Sequence, residues 1–328
     1  VTPLDWLSLL ALLGIGGVLS RLSPRESRTY WRRFRRDRAA LVGAAVLALV
    51  GALGLLGPLL APDPRVVPGQ ALQPPLFFPV EASVPLRCLG ETTVSGGTRL
   101  CHGTLAHPLG TTGSGADLLA LVVAGARVSL QVALVTTAIV ATLGTLVGTT
   151  AAYAGGAVDE LLMRYVDLQA TFPSFFLFVL LSYLFEPSLF LLVCLFGLLG
   201  WENTARLVRA EALQRVSEPY VRAAEAAGAG RGWVLRRHVL PNVSNSVVVT
   251  VTLLVPAFVL LEASLSFLGL TAPSVPSWGR TVAAGRGDLT TAPWVATVPG
   301  VALFCTVLAL NFVGDGLRDA LDPREVNA

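Results

Sequence analysis

Ala39–Ala61 reads AALVGAAVLALVGALGLLGPLLA, twenty-three residues without a single charge. At about 1.5 Å per residue it makes a helix roughly 35 Å long. A bilayer core of about 30 Å needs no more. Immediately before it, Arg21–Arg38 carries arginines at 21, 25, 28, 32, 33, 35, 36 and 38. Such a density beside a span marks the cytoplasmic face. The chain therefore leaves the cytoplasm at Ala39, and the segment after Ala61 lies outside. That segment holds Pro62, Pro64, Pro68, Pro74, Pro75, Pro79 and Pro85, then Gly90, Gly96 and Gly97. Proline lacks an N–H and fixes φ, so this density argues against long helices and central strands. The expectation is a small, irregular external lobe.

Further apolar blocks lie along the chain. Leu118–Val128 is amphipathic and leads into a span at Val128–Ala152. Gly155–Asp167 reads as a short polar turn. Phe172–Phe185 and Ser188–Trp201, parted by Glu186-Pro187, are each too short alone. Flanking residues such as Asp167–Ala170 and Glu202–Ala205 must extend them. Arg206–Val239 is a second Arg-rich stretch, placed in the cytoplasm by the same charge rule. Asn242–Leu270, the longest span by this reading, contains Pro256 and Glu262. An external loop, Thr271–Ala292, precedes the last span, Pro293–Gly314, and the tail ends inside. Six spans from residue 39 put both Arg-rich stretches and the tail on one face. Upstream, Leu4–Leu22 is an extra N-terminal span or interfacial helix; its charges come after the apolar run, the reverse of a signal peptide.

Composition agrees. The 328 residues are 53% hydrophobic and 14% charged, against about 25% charged in ordinary soluble domains. All 24 basic residues besides histidine are arginine. Without lysine the chain has no P-loop of the G-x-x-x-x-G-K-[ST] type and no Schiff-base nucleophile. Work driven by ATP must come from a partner. There is no H-E-x-x-H and no G-x-S-x-G, and the histidines are only His102, His107 and His238. A membrane-embedded enzyme would need a catalytic constellation, and none is visible.

Cys88 and Cys101 fall in the external lobe, where oxidation is permitted. A bond would close a loop of about 14 residues, worth roughly 3 kcal/mol in the chain-entropy model. Two free thiols, or a metal site with His102 and His107, are the alternatives, although the spacing matches no standard zinc pattern. Neither a metal nor a cofactor is expected. Glu262 is the one carboxylate deep in a span. Such groups are costly and face a cavity or a partner. It is read as a pathway or gate residue, or as a structural hydrogen-bonding group toward Ser264, Ser266 or a neighbouring helix.

The most specific stretch is cytoplasmic: Ser217-Glu-Pro-Tyr-Val-Arg-Ala-Ala-Glu-Ala-Ala-Gly228, then Trp233, then Leu240-Pro241-Asn242. Ser217 can cap a helix whose first turn tolerates Pro219, and Gly228 can end it in a left-handed conformation. Small residues there would let another surface approach closely.

This stretch resembles the coupling motif of ABC importer permeases, E-A-A-x-x-x-G, nine residues, then I-x-L-P. Ala223, Ala224, Gly228, Leu240 and Pro241 match. Arg222 replaces Glu and His238 replaces Ile, as in the branch of dipeptide, oligopeptide and nickel permeases. Segments similar to the C-type, second permease subunit of that branch include His107-Pro-Leu-Gly-Thr, Gly125-Ala-Arg-Val-Ser-Leu130, Glu262-Ala-Ser-Leu-Ser-Phe-Leu-Gly269, Pro276-Ser-Trp-Gly279 and Gly314–Arg324. Thr112 and Ala116, where the family usually has Asp and Arg, depart from it, as does 80–104.

The resemblance implies an all-α, type I ABC importer transmembrane domain in the cell membrane. Residues 1–38 form the N-terminal apolar and Arg-rich segment, 39–61 the first core span and 62–117 the external lobe. The core permease domain is 118–316, with five spans and the coupling loop 206–240, and 317–328 is a cytoplasmic tail. Arg222, Ala223, Ala224, Glu225, Gly228, Leu240 and Pro241 would meet the ATPase. Implied partners are a homologous second permease, two cytosolic ATPases, an external solute-binding protein and lipid. The solute would be a dipeptide or oligopeptide, with nickel, glutathione or an oligosaccharide as alternatives for the same machinery.

Overall fold

A computed structural model describes residues 30–321, apart from 61–63, 65 and 86. Leu4–Leu22 and most of the expected tail lie outside the described residues. Helices dominate. Among the described residues, five are long and apolar enough to cross a membrane, and a bent pair raises the number to six.

Helix α1 (Arg38–Leu60) is the uncharged opening block. Leu49, Leu55 and Leu56 stand exposed on it, as befits a helix apolar all round whose surroundings are lipid. The lobe after it is not wholly irregular. Strands β1 (Val80–Glu81), β2 (Thr92–Ser95) and β3 (Thr98–Cys101) form an antiparallel sheet in the order β1-β3-β2. The prolines stop at Pro85 and resume at Pro108, so a central strand fits between them. Gly96 and Gly97, at φ 58° and 87°, close the β2–β3 hairpin, where both central residues of the favoured two-residue turn need positive φ.

Next comes α2 (Leu118–Ala154), in which the amphipathic lead-in and the span are one helix of 37 residues. It is longer than the Pro256-bearing helix that the hydropathy ranked first. The polar "turn" is itself helical: α3 (Gly156–Thr171) has 16 residues. Its charges are spaced for support, as in the Arg164–Glu160 pair at i, i+4, so polarity alone misleads there. A bend of 74° separates it from α4 (Ser174–Leu184), where Pro173 interrupts the N–H series. α5 (Leu189–Leu199) and α6 (Glu202–Val216) run on as one candidate span, Leu189–Val216. The short apolar stretches are thus extended by polar flanks, as their length requires.

After α7 (Pro219–Ala226) and α8 (Arg231–Val234), a π-turn at Leu235–Val239 enters α9 (Leu240–Phe267). The loop before the last span contains α10 (Trp278–Ala284) and a 3₁₀ turn, Gly285–Asp288. Finally α11 (Trp294–Leu321) continues seven residues past Gly314, into what the sequence suggested was tail.

Two compact units result. One collects the described residues up to Val42, Ala133–Phe258 and those from Leu310 on; the other is Gly43–Val132 with Val259–Ala309. In the first, Ala152, Val208, Ala212, Val239 and Val243 form a core, and Phe196 meets Phe178 edge to face and stacks on Phe258. In the second, Val80, Leu118, Ala292, Trp294 and Val295 tie the lobe to its helices.

Candidate functional site

Pro219 occupies the first turn of α7, where a missing N–H costs nothing. Ser217 does not cap it. Its hydroxyl instead donates to the Gln214 carbonyl at 2.7 Å, because the chain at Ser217 still follows α6 in helical geometry and Glu218 takes the cap position. The other end is as expected. Gly228 lies at φ +85°, with the Ala229 N–H bonded to Ala224 O (3.0 Å) and the Gly228 N–H to Glu225 O (2.9 Å). That is the paired bonding of a Schellman stop.

Only Val221 of this helix is fully buried. Arg222, Ala223, Glu225 and Gly228 are exposed and Ala224 is half-buried. A Cβ added at Gly228, Gly230 or Gly232 would meet nothing within 4 Å. The Tyr153 hydroxyl at the end of α2 donates to Glu225 Oε1 at 2.9 Å. Trp233 and Tyr220 flank His238, with ring centroids 5.1 and 5.7 Å away. Leu240 is half-buried and Pro241 exposed. Because Pro241 can donate no hydrogen bond and its ring crowds the turn before it, the backbone widens there into a π-turn.

The platform under this loop is braced by ion pairs between helices. Arg209 of α6 grips Asp159 of α3 through both oxygens, at 2.6 and 2.5 Å, and Arg206 reaches Asp167 at 2.9 Å. α6 lies against α2 at Gly144 and Gly148, where a Cβ at Gly148 would stand 2.5 Å from the Ala205 carbonyl oxygen. Sequence reading did not single out these residues. The signal was present as Gly144-Thr-Leu-Val-Gly148, a G-x-x-x-G pattern of the kind that brings membrane helices close.

Glu262 lies in the other unit and is fully buried. It accepts from Ser129 Oγ (2.9 Å) and Ser266 Oγ (2.7 Å), and Thr271 Oγ1 donates in turn to Ser266 (3.0 Å). Ser264 is not a partner; it bonds the Leu260 carbonyl. Beside this clasp the Trp278 indole N–H donates to Val122 O at 2.9 Å over Gly125, and Gly279 passes so near the Ala263 backbone that a Cβ would collide. Segments far apart in sequence, around Gly125, Glu262 and Trp278, thus meet in one packed knot. This arrangement satisfies the carboxylate structurally.

The Cys88 and Cys101 sulfurs are bonded at 2.00 Å, with Cα atoms 5.8 Å apart. His102 instead pairs with Thr93 (2.7 Å), and His107 sits between Asp117 (2.8 Å) and Gln70 (3.0 Å). No group of three metal-ligating side chains occurs among the described residues.

Comparison with known proteins identifies the family. Residues 142–327 match the family model for the binding-protein-dependent transport system inner membrane component, and residues 27–75 that for the N-terminal TM domain of oligopeptide transport permease C. The chain is 34% identical over 305 residues to the oligopeptide transport system permease protein OppC of Escherichia coli K12, covering 92% of this chain and 93% of that protein. It is 39% identical over 220 residues to OppC of Haemophilus influenzae (67% and 71% covered). Against OppC of Bacillus subtilis it is 36% identical over 219 residues (66% and 72% covered).

Proposed function

The chain belongs to the binding-protein-dependent transport system inner membrane components, and from that premise we propose that it forms half of the translocation pathway of an ATP-driven peptide importer. It is a multi-pass transport subunit and not an enzyme. A second, homologous permease supplies the other half. Two cytosolic ATPases bind from the Arg-rich side, an external binding protein delivers the peptide, and the C-terminus is cytoplasmic.

The observation that carries this reading is α7. It is a short helix with one buried anchor, Val221, and an open face of small residues, set on a braced platform. Closure of the ATPases on ATP would push on that face. α6, the π-turn and α9 then pass the displacement into the spans, and the permease alternates between inward- and outward-open states. Arg222, Ala223, Ala224, Glu225 and Gly228 form the contact, while Leu240 and Pro241 fix where the loop re-enters the membrane. Glu262 acts near the pathway by holding α2 and α9 in register, not by contacting solute.

Peptide is favoured as solute because the N-terminal family match and the relatives' names point to oligopeptide permeases. The test is uptake by the complete complex in proteoliposomes, with ATP inside and loaded binding protein outside. Dipeptides or oligopeptides should accumulate. Accumulation of nickel, glutathione or an oligosaccharide with no peptide uptake would overturn the assignment of solute.

A further inference from the structure

Within the unit that holds the lobe, the loop before α11 and the segment before α2 border an open cavity of about 570 Å³, within the range of small-ligand sites. Arg280 is the only charged residue lining it among the described residues. Its Nη1 donates to the Ala272 carbonyl at 3.2 Å, which orients the guanidinium and leaves its remaining donors without a partner among the described residues. Ser277 lines the same wall. It is 1% exposed, and its hydroxyl has no hydrogen-bond partner. Across the cavity Thr112 and Ser114 present hydroxyls bonded to each other at 2.9 Å. Val66, Leu121 and Pro276 supply apolar wall. The Asp288 carboxylate stands behind Gly113 and is not in the lining.

An oriented guanidinium facing apolar wall attracts an anion. A planar carboxylate fits the fork of arginine donors best. Peptides of any sequence share two charged groups, the terminal amine and the terminal carboxylate. Only the second suits this wall. We propose that the cavity is an entry subsite for the C-terminal carboxylate of the arriving peptide, paired with Arg280. The apolar wall accommodates the last side chain whatever its identity. This rests on the peptide reading above and on the lobe facing outward.

The experiment compares uptake of one peptide as free acid and as C-terminal amide in the reconstituted complex, with the binding protein saturated by each form. Wild type should favour the free acid by about tenfold, the worth of one charge-assisted hydrogen bond. Arg280→Gln should abolish the preference and Arg280→Lys should restore most of it. Should Arg280→Gln fail to assemble, the wild-type preference must still narrow as ionic strength outside is raised, since one ion pair carries it. Equal uptake of both forms by wild type overturns the subsite while leaving the peptide reading intact. A preference that persists in Arg280→Gln also overturns it, since discrimination then lies in the binding protein. Uptake of neither form by wild type refutes the peptide reading itself.

Discussion

Gly228 holds φ +85° with open space where a side chain would stand. Valine there costs roughly 1–2 kcal/mol in backbone strain alone, before any partner arrives. Ala223 is different: it is exposed in a helix and bears no strain. A tryptophan at 223 leaves this chain's own packing undisturbed and overpacks only a surface seated on α7, at about 1–3 kcal/mol. Ala223→Trp should therefore give a normally assembled permease whose ATP hydrolysis is no longer stimulated by loaded binding protein. Gly228→Val should show the same loss together with lower stability. The measurement is ATPase activity of the reconstituted complex with and without loaded binding protein. Full stimulation in both variants would reduce α7 to a connector. Ala224 is a poorer probe, since it is half-buried and its carbonyl accepts from Ala229.

Among the elements, the α2–α6 contact bears most directly on the proposed coupling, because α6 carries the platform on which α7 rests. A side chain at Gly148 would strike the Ala205 carbonyl and the Arg209 backbone nitrogen, and so displace the helix whose Arg209 grips Asp159. Gly148→Leu should lower the unfolding temperature in detergent and weaken ATPase stimulation together. Gly51→Leu, with nothing within 4 Å of its added Cβ, should leave the unfolding temperature unchanged. Equal effects would mean that α2 and α6 are not held by close contact. The same physics decides which elements the sequence disclosed. α1, α7 and the Gly228 stop were legible because long apolar runs, a leading proline and a positive-φ glycine are local signals. α3 was missed because its surface charges mimic a turn, and the β-sheet because neighbouring prolines obscured a Pro-free stretch. The Glu262 clasp and the Trp278 contact depend on residues more than a hundred positions apart, and no local pattern announces such a meeting. Those segments carry the family resemblance, and their packing explains why they belong together.

For the molecule as a whole, orientation comes from where arginine gathers. Residues 21–38 and 206–239 hold most of the arginines, and a chain that starts its first span at Arg38 returns them to one face only if the spans between are even in number. The bent pair α3–α4 decides the parity. Counted as one crossing, it joins α1, α2 and Leu189–Val216 to make four before the coupling loop, which puts that loop on the starting side. Without it the loop and the first Arg-rich stretch would lie on opposite faces, against the bias that keeps arginine in the cytoplasm. Impermeant maleimide applied to right-side-out vesicles distinguishes the two. In a background lacking Cys194 and Cys305, with the Cys88–Cys101 bond intact, Leu105→Cys offers a thiol at a position 85% exposed in the lobe. It should label without permeabilisation. Arg231→Cys, beside α7, should label only after the vesicles are opened. Labelling of both from outside would mean that α3 and α4 turn back within the membrane, and the coupling surface would then face away from any cytosolic ATPase.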